Sequence, residues 1–125
     1  MRTLILAAFV SALRVSALAE PCGNDATPEQ LAKAVKEALQ QKAPLAEGRL
    51  VVPTAEVAQA IHRAVTGAVF GHEEIERQRP FKAVRSGDFW VVYGCMPTDP
   101  NLLGGVAVTV IRAQNGEVIS ISHGQ

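Results

Sequence analysis

The chain has 125 residues, 12 Lys and Arg against 12 Asp and Glu, and 48% hydrophobic residues. This length fits one small domain, and a formal charge of zero without clustered Lys and Arg excludes phosphate-backbone binding as its main task. An ordinary apolar fraction and the lack of low-complexity tracts exclude disorder.

Arg2, the apolar run from Thr3 to Leu13 and the small-residue triplet Ala17-Leu18-Ala19 have the three-part order of a secretory signal peptide, with cleavage expected after residue 19. The apolar run is far shorter than the roughly 20 residues that span a bilayer, and no other segment is long enough, so no membrane association is expected after cleavage. A lipid anchor on Cys22 is the alternative. It would need small residues where Glu20 and Pro21 stand. Removing residues 1–19 takes away Arg2 and Arg14 and no acid, which leaves 10 basic and 12 acidic residues and a net charge of −2.

Two cysteines in an exported chain suggest a disulfide between Cys22 and Cys95. It would close a loop of 74 residues, for which loop entropy gives at most about 4 kcal/mol of stabilisation. Neither a Cys-x-x-Cys redox motif nor a set of metal-ligand companions accompanies them. Two thiols that never meet are the other reading.

Residues 20–49 read as an N-terminal extension. Thr27 as N-cap, Pro28 at the first helical position and Gln30 completing a capping box start a helix over 28–42, with Leu31, Ala34, Val35, Ala38 and Leu39 on one stripe. The α+β domain then runs over 50–125. Leu50-Val51-Val52 is a short extended run ending at Pro53, and Thr54 caps a second helix with Glu56 in its first turn. Periodicity puts Val57, Ile61, Ala64, Val65, Ala68 and Val69 on its buried face, and Gly71 stops it. His72 to Gln78 reads as a further helical turn anchored by Ile75, ended before Pro80.

Beyond Pro80 the period changes to two. Residues 81–85, 89–96, 106–112 and 117–123 are predicted strands, joined by turns at Ser86-Gly87-Asp88 and Asn115-Gly116 and by a longer connection over 97–105. The third strand is apolar on both faces, which places it centrally. Helices followed by a four-stranded antiparallel meander make an α+β fold, with the helices packed on the sheet.

Chemistry is sparse. His72-Glu73-Glu74 with Glu76 lacks the second His that a zinc-protease helix needs, and Gly104-Gly105 precedes a strand rather than a helix N-terminus. His62 reads as a histidine at the margin of the apolar stripe. His123 could pair with a carboxylate across the sheet. Ser122 beside it projects to the opposite face, so the two make no triad. Trp90 projects opposite Phe89 and Tyr93 and reads as core, or as an anchor for a partner. No catalytic or metal-binding residue is assigned, and no cofactor is expected.

The ordered set Pro53-Thr54-Ala55-Glu56-Val57-Ala58, Phe70-Gly71, Glu74-Ile75, Gln78-Arg79-Pro80-Phe81, Trp90-Val91-Val92, Gly94, Met96-Pro97, Gly104-Gly105-Val106, Gly116 and His123-Gly124 resembles a bacterial immunity-protein family of polymorphic-toxin loci. That family has a fold like that of nuclear transport factor two, a cone-like curved sheet also seen in cystatin-like proteins. The similarity covers residues 51–125. It implies helices laid across the sheet and a non-catalytic role, with a cognate toxin protein as partner. The export signal, the N-terminal helix and Cys95 depart from the family pattern, and the signal implies a periplasmic or secreted site of action. Two rivals stand beside this reading: a small secreted enzyme using Glu56, His62, Tyr93 and His123, and a secreted ligand-binding domain on the same fold.

Overall fold

The computed structural model of the protein describes residues 23–95 and 105–124. The chain divides into two compact units, one up to Gln40 and one from Gln41.

Within the first unit, helix α1 spans Pro28–Leu39. Its capping box forms as the sequence dictates: the Gln30 backbone N–H donates to Thr27 Oγ1 at 3.2 Å, and the Thr27 N–H donates to Gln30 Oε1 at 2.8 Å. The helix ends three residues short of the expected Lys42. Gln40 caps it, its N–H donating to the Glu37 carbonyl at 3.2 Å. Leu31, Val35 and Leu39, the apolar stripe, are all exposed.

The second unit begins its fold at Leu50-Val51-Val52. This segment bends instead of forming a strand, and it pairs with the second β-turn: the Val51 and Val52 N–H groups donate to the carbonyls of Gln114 and Ala113. Helix α2, Ala55–Phe70, follows a Thr54 cap whose Oγ1 accepts the Val57 N–H. Gly71 stops it with φ of +98°, a conformation side chains rarely adopt. The short α3, His72–Glu76, is anchored by buried Ile75.

Strands β1 (Lys82–Ser86), β2 (Phe89–Tyr93), β3 (Ala107–Arg112) and β4 (Val118–His123) form one antiparallel sheet in the order β1-β2-β3-β4. As the sequence predicts, β3 is central. The second turn is longer than the two-residue hairpin expected at Asn115-Gly116. It occupies residues 113–117, because the carbonyls of Ala113 and Gln114 are drawn away to the 51–52 segment and the Ala113 N–H goes to the Asp88 carbonyl. A bulge follows: Val110 faces Ser120 while Ile111 faces Val118, leaving Ile119 as the extra residue.

The core lies between α2 and one face of the sheet. Val52, Ala58, Trp90, Val92, Ile111 and Ala113 form its buried centre. Trp90 takes the core position, and its indole N–H donates to the Val52 carbonyl at 2.9 Å. The buried face of α2 is turned about one residue from the expected one. Ala58, His62, Thr66 and Gly67 are buried, whereas Val57 and Val69 are exposed. Gly67 is buried against α3, where an added Cβ would lie 2.4 Å from the His72 ring.

Candidate functional site

Three polar clusters are built on this frame, and each can be followed from the elements that hold it. The first lies inside. Turning α2 by one residue carries His62 from the expected margin into the interior, where it is fully buried. Its Nδ1 lies 2.7 Å from Thr109 Oγ1 of β3. The Phe81 ring meets it edge-on at 4.9 Å. Thr66, one turn along, donates its hydroxyl to the His62 carbonyl. His62 Nε2 has no hydrogen-bond partner among the described residues. Burial lowers the pKa of the ring below 6.5, since the charged form would have to be desolvated. A sealed neutral imidazole of this kind supports packing rather than catalysis.

The second cluster joins the ends of β2, β3 and β4. Gln78, buried just after α3, is its hub: its Oε1 accepts the Ala107 N–H at 2.9 Å, its backbone carbonyl accepts the Cys95 N–H, and its Nε2 lies 3.3 Å from His123 Nε2. His123 Nδ1 lies 2.8 Å from the Gly124 carbonyl. Together these contacts fit a ring protonated at Nδ1, with Gln78 donating to the bare Nε2. The expected carboxylate partner of His123 is thus replaced by an amide, and its ring rests edge-on against Phe70 at 5.1 Å. Two glycines make the closure possible. A Cβ on Gly94 would stand 2.5 Å from Gln78 Oε1, and one on Gly105 would stand 1.9 Å from the Gly124 carbonyl oxygen.

The third cluster is the charged surface of α2 and α3. Glu76 accepts from Arg63 Nε at 2.5 Å and from Arg79 Nη1 at 2.9 Å, and Arg77 pairs with Glu74. The hydrogen bond from Arg77 holds the Glu74 carboxyl below its usual value, and that from Arg63 does the same for Glu76. Beside them is an open depression of about 370 Å³ lined by Arg63, Arg79, Ala60 and Phe81 among others. Both guanidinium groups bordering it already share Glu76. Among the described residues no three His, Cys, Asp or Glu are grouped to hold a metal ion.

The motif positions read from the sequence fall into these frames. Pro53, Thr54 and Glu56 open α2, and Gly71 closes it. Gln78, Gly105, His123 and Gly124 make the second cluster, and Trp90 lies in the core. Pro80 follows a cis peptide bond. Phe81 borders His62 and accepts the Gln59 side-chain N–H on its carbonyl.

The four residues of the enzyme rival are not brought together. Glu56 is exposed in the first turn of α2, whereas His123 lies near Phe70 at the other end of that helix. Tyr93 projects to the sheet face opposite His62. Cys95 is exposed two residues beyond β2, and Cys22 lies outside the described residues, as do the expected signal segment, Met96 to Gly104 and the last residue.

Thr109, Thr66 and Gly94 are structural participants that periodicity did not single out. For Thr109 a signal existed: it is the one hydroxyl in the otherwise apolar run Val106 to Ile111.

Comparison with known proteins adds one match. Residues 57–125 fit the model of a family described as NTF2 fold immunity protein. No curated protein and no solved structure matches the chain.

Proposed function

The chain belongs to the NTF2 fold immunity protein family, and from that premise we propose that it binds and neutralises one cognate bacterial toxin outside the inner membrane. The family match over residues 57–125 is the observation that carries this reading. The signal-like segment before residue 20 supports the placement. Neutralisation works by surface complementarity: an interface of standard size, on the order of 800 Å² per partner, covers or distorts the toxin's working surface. In an oxidising compartment the exposed Cys95 pairs with Cys22 and tethers the N-terminal extension.

Two experiments test the reading. The first produces the toxin encoded beside this gene in a sensitive host, with and without this protein. Survival only when the protein is present supports it, and unchanged killing overturns it. The second fractionates the producing cells and measures intact masses without reductant. A periplasmic chain beginning at Glu20 and lighter by two hydrogens is expected. A full-length reduced chain in the cytoplasm would remove both export and the disulfide.

A further inference from the structure

The two outer strands of the sheet differ in how they are guarded. A strand with one neighbour presents unpaired N–H and C=O groups that invite pairing with another chain, and charged side chains or proline along it discourage this. β1 carries Lys82 and Arg85, and the Gln59 side chain donates to the carbonyl of Phe81 just before it. β4 has neither Lys, Arg, Asp, Glu nor Pro anywhere along Val118–His123. α2 packs on β1, β2 and β3, and among the described residues no strand pairs with β4 on its far side.

Backbone geometry fixes which groups of β4 face outward. The Gly124 N–H donates to the Val106 carbonyl, whereas the Ala107 carbonyl accepts from Gly94 on the β2 side. Antiparallel hydrogen bonds alternate along a strand, so Ser120, Ser122 and Gly124 direct their backbone groups to β3, and those of Ile121 and His123 point away from the sheet. Ile121 is opposite Thr109 on the side of α2, while Ser120 and Ser122 are opposite Val110 and Val108 on the uncovered side. Both serines are exposed, and Ile119 is 43% exposed.

The same residues are complementary to themselves. Ile119-Ser120-Ile121-Ser122 reads nearly alike in both directions about Ile121. A second β4 laid antiparallel about that residue sets Ile121 against Ile121, Ser120 against the second copy's Ser122 and Ile119 against its His123. The outward N–H and C=O of the two Ile121 residues then close a mutual pair of hydrogen bonds on the two-fold axis. Serine pairs and aliphatic pairs are favourable cross-strand neighbours, and no like charges meet. Such self-complementarity is what a two-fold interface requires.

We infer that β4 pairs edge to edge with β4 of a second copy of the chain, antiparallel and centred on Ile121, so that two four-stranded sheets become one. This pairing is independent of the immunity reading. An edge of this length buries less than a standard interface, so the dimer is weak and transient.

The test uses the protein purified from its producing cells, followed by sedimentation equilibrium over a concentration series reaching the millimolar range. Wild type should pass from monomer to dimer, and the outward Ile121 amide should exchange its hydrogen slowly in the dimer and rapidly on dilution. Ser120→Lys/Ser122→Lys sets lysine against lysine on both sides of the axis and should weaken the dimer roughly tenfold. Ser120→Lys/Ser122→Glu sets each lysine against a glutamate in the same register and should restore it. Both variants change exposed side chains on the uncovered face, and thermal melts verify their folds. A wild type that stays monomeric throughout overturns the proposal. A dimer indifferent to the paired lysines, or a Lys/Glu variant that stays monomeric, overturns it too. A monomer that forms a one-to-one complex with the toxin, sensitive to the paired lysines, assigns the edge to the toxin and overturns the proposal as well.

Discussion

The two faces of the sheet are built to different specifications although the same strands supply both. On the face under α2, buried Val92, Thr109 and Ile111 meet the helix, Trp90 is pinned by its indole N–H, and His62 Nδ1 pairs with Thr109 Oγ1. On the other, Val84, Val91 and Tyr93 lie in a row of valines and aromatics bordered by Lys82, Ser86, Ser120, Ser122 and the Arg112–Glu117 pair. The covered face and the strand ends contain Trp90, Gln78 and His123.

That contrast can be broken most directly by truncation. Trp90→Ala removes the largest core side chain and leaves the Val52 carbonyl without its donor, so a loss of about 3–5 kcal/mol in unfolding free energy is expected. Val84→Ala on the outer face should change stability by no more than about 0.5 kcal/mol. Urea denaturation of both variants checks the pair, and comparable losses would erase the distinction between the faces.

The strand-end cluster comes next. Gln78→Leu strands the buried Ala107 N–H and should cost about 1–3 kcal/mol. In a double-mutant cycle with His123→Leu the two losses should be non-additive, because the side chains share one contact. Simple additivity would mean that Gln78 acts only through β3.

Acidification sharpens the contrast further, since it reaches the interior through one group. The folded pKa of His62 lies below its unfolded value of 6.5. The unfolded chain therefore binds the proton more readily, and stability is retained above 6.5 and lost as pH falls from there toward the folded value. Among the described residues its contacts are Thr66 of α2, Thr109 of β3 and Phe81 just before β1, none of them ionisable. Unfolding free energies measured from pH 8 downward should show a decline in this window that His62→Gln lacks. The depressed pKa values of Glu74 and Glu76 add a separate loss, confined to the region below 4.5. An identical slope in wild type and variant would show that the ring is accessible to solvent.

The smallest effect is expected on the charged outer side of α2 and α3. Glu76→Gln frees Arg63 and Arg79 from a shared, solvent-exposed partner, and exposed pairs of this kind contribute little. A slight drop in melting temperature that fades with added salt is the expected outcome. A large drop would give the charged surface a structural weight equal to that of the core.

Much of this architecture can be read without coordinates. The capping box at Thr27, the stop at Gly71, the central place of β3 and the α+β order follow from local chemistry and the change of period after Pro80. The buried face of α2 does not, because counting apolar residues favours Val57, Ile61 and Val65. The helix instead turns its small and hydrogen-bonding side inward, where Ala58 enters the core and His62 meets Thr109 of β3. The turn at Asn115-Gly116 forms, with Gly116 at a φ of +75°, but it is longer than two residues for a related reason. Its backbone pairs with residues 51 and 52, more than sixty positions earlier, and no local signal encodes that. Gln78 illustrates the middle case: its place in the ordered set of residues is visible, but its role depends on three strand ends meeting.

The enclosed ring of His62 gives the domain an internal reporter. One nitrogen faces a hydroxyl and the other faces no described polar group, so the tautomer and exchange rate of the ring register small changes in how α2 sits on β3. Nitrogen chemical shifts of this single side chain would reveal whether pairing along the outer edge of β4 is felt in the interior or stops at the backbone.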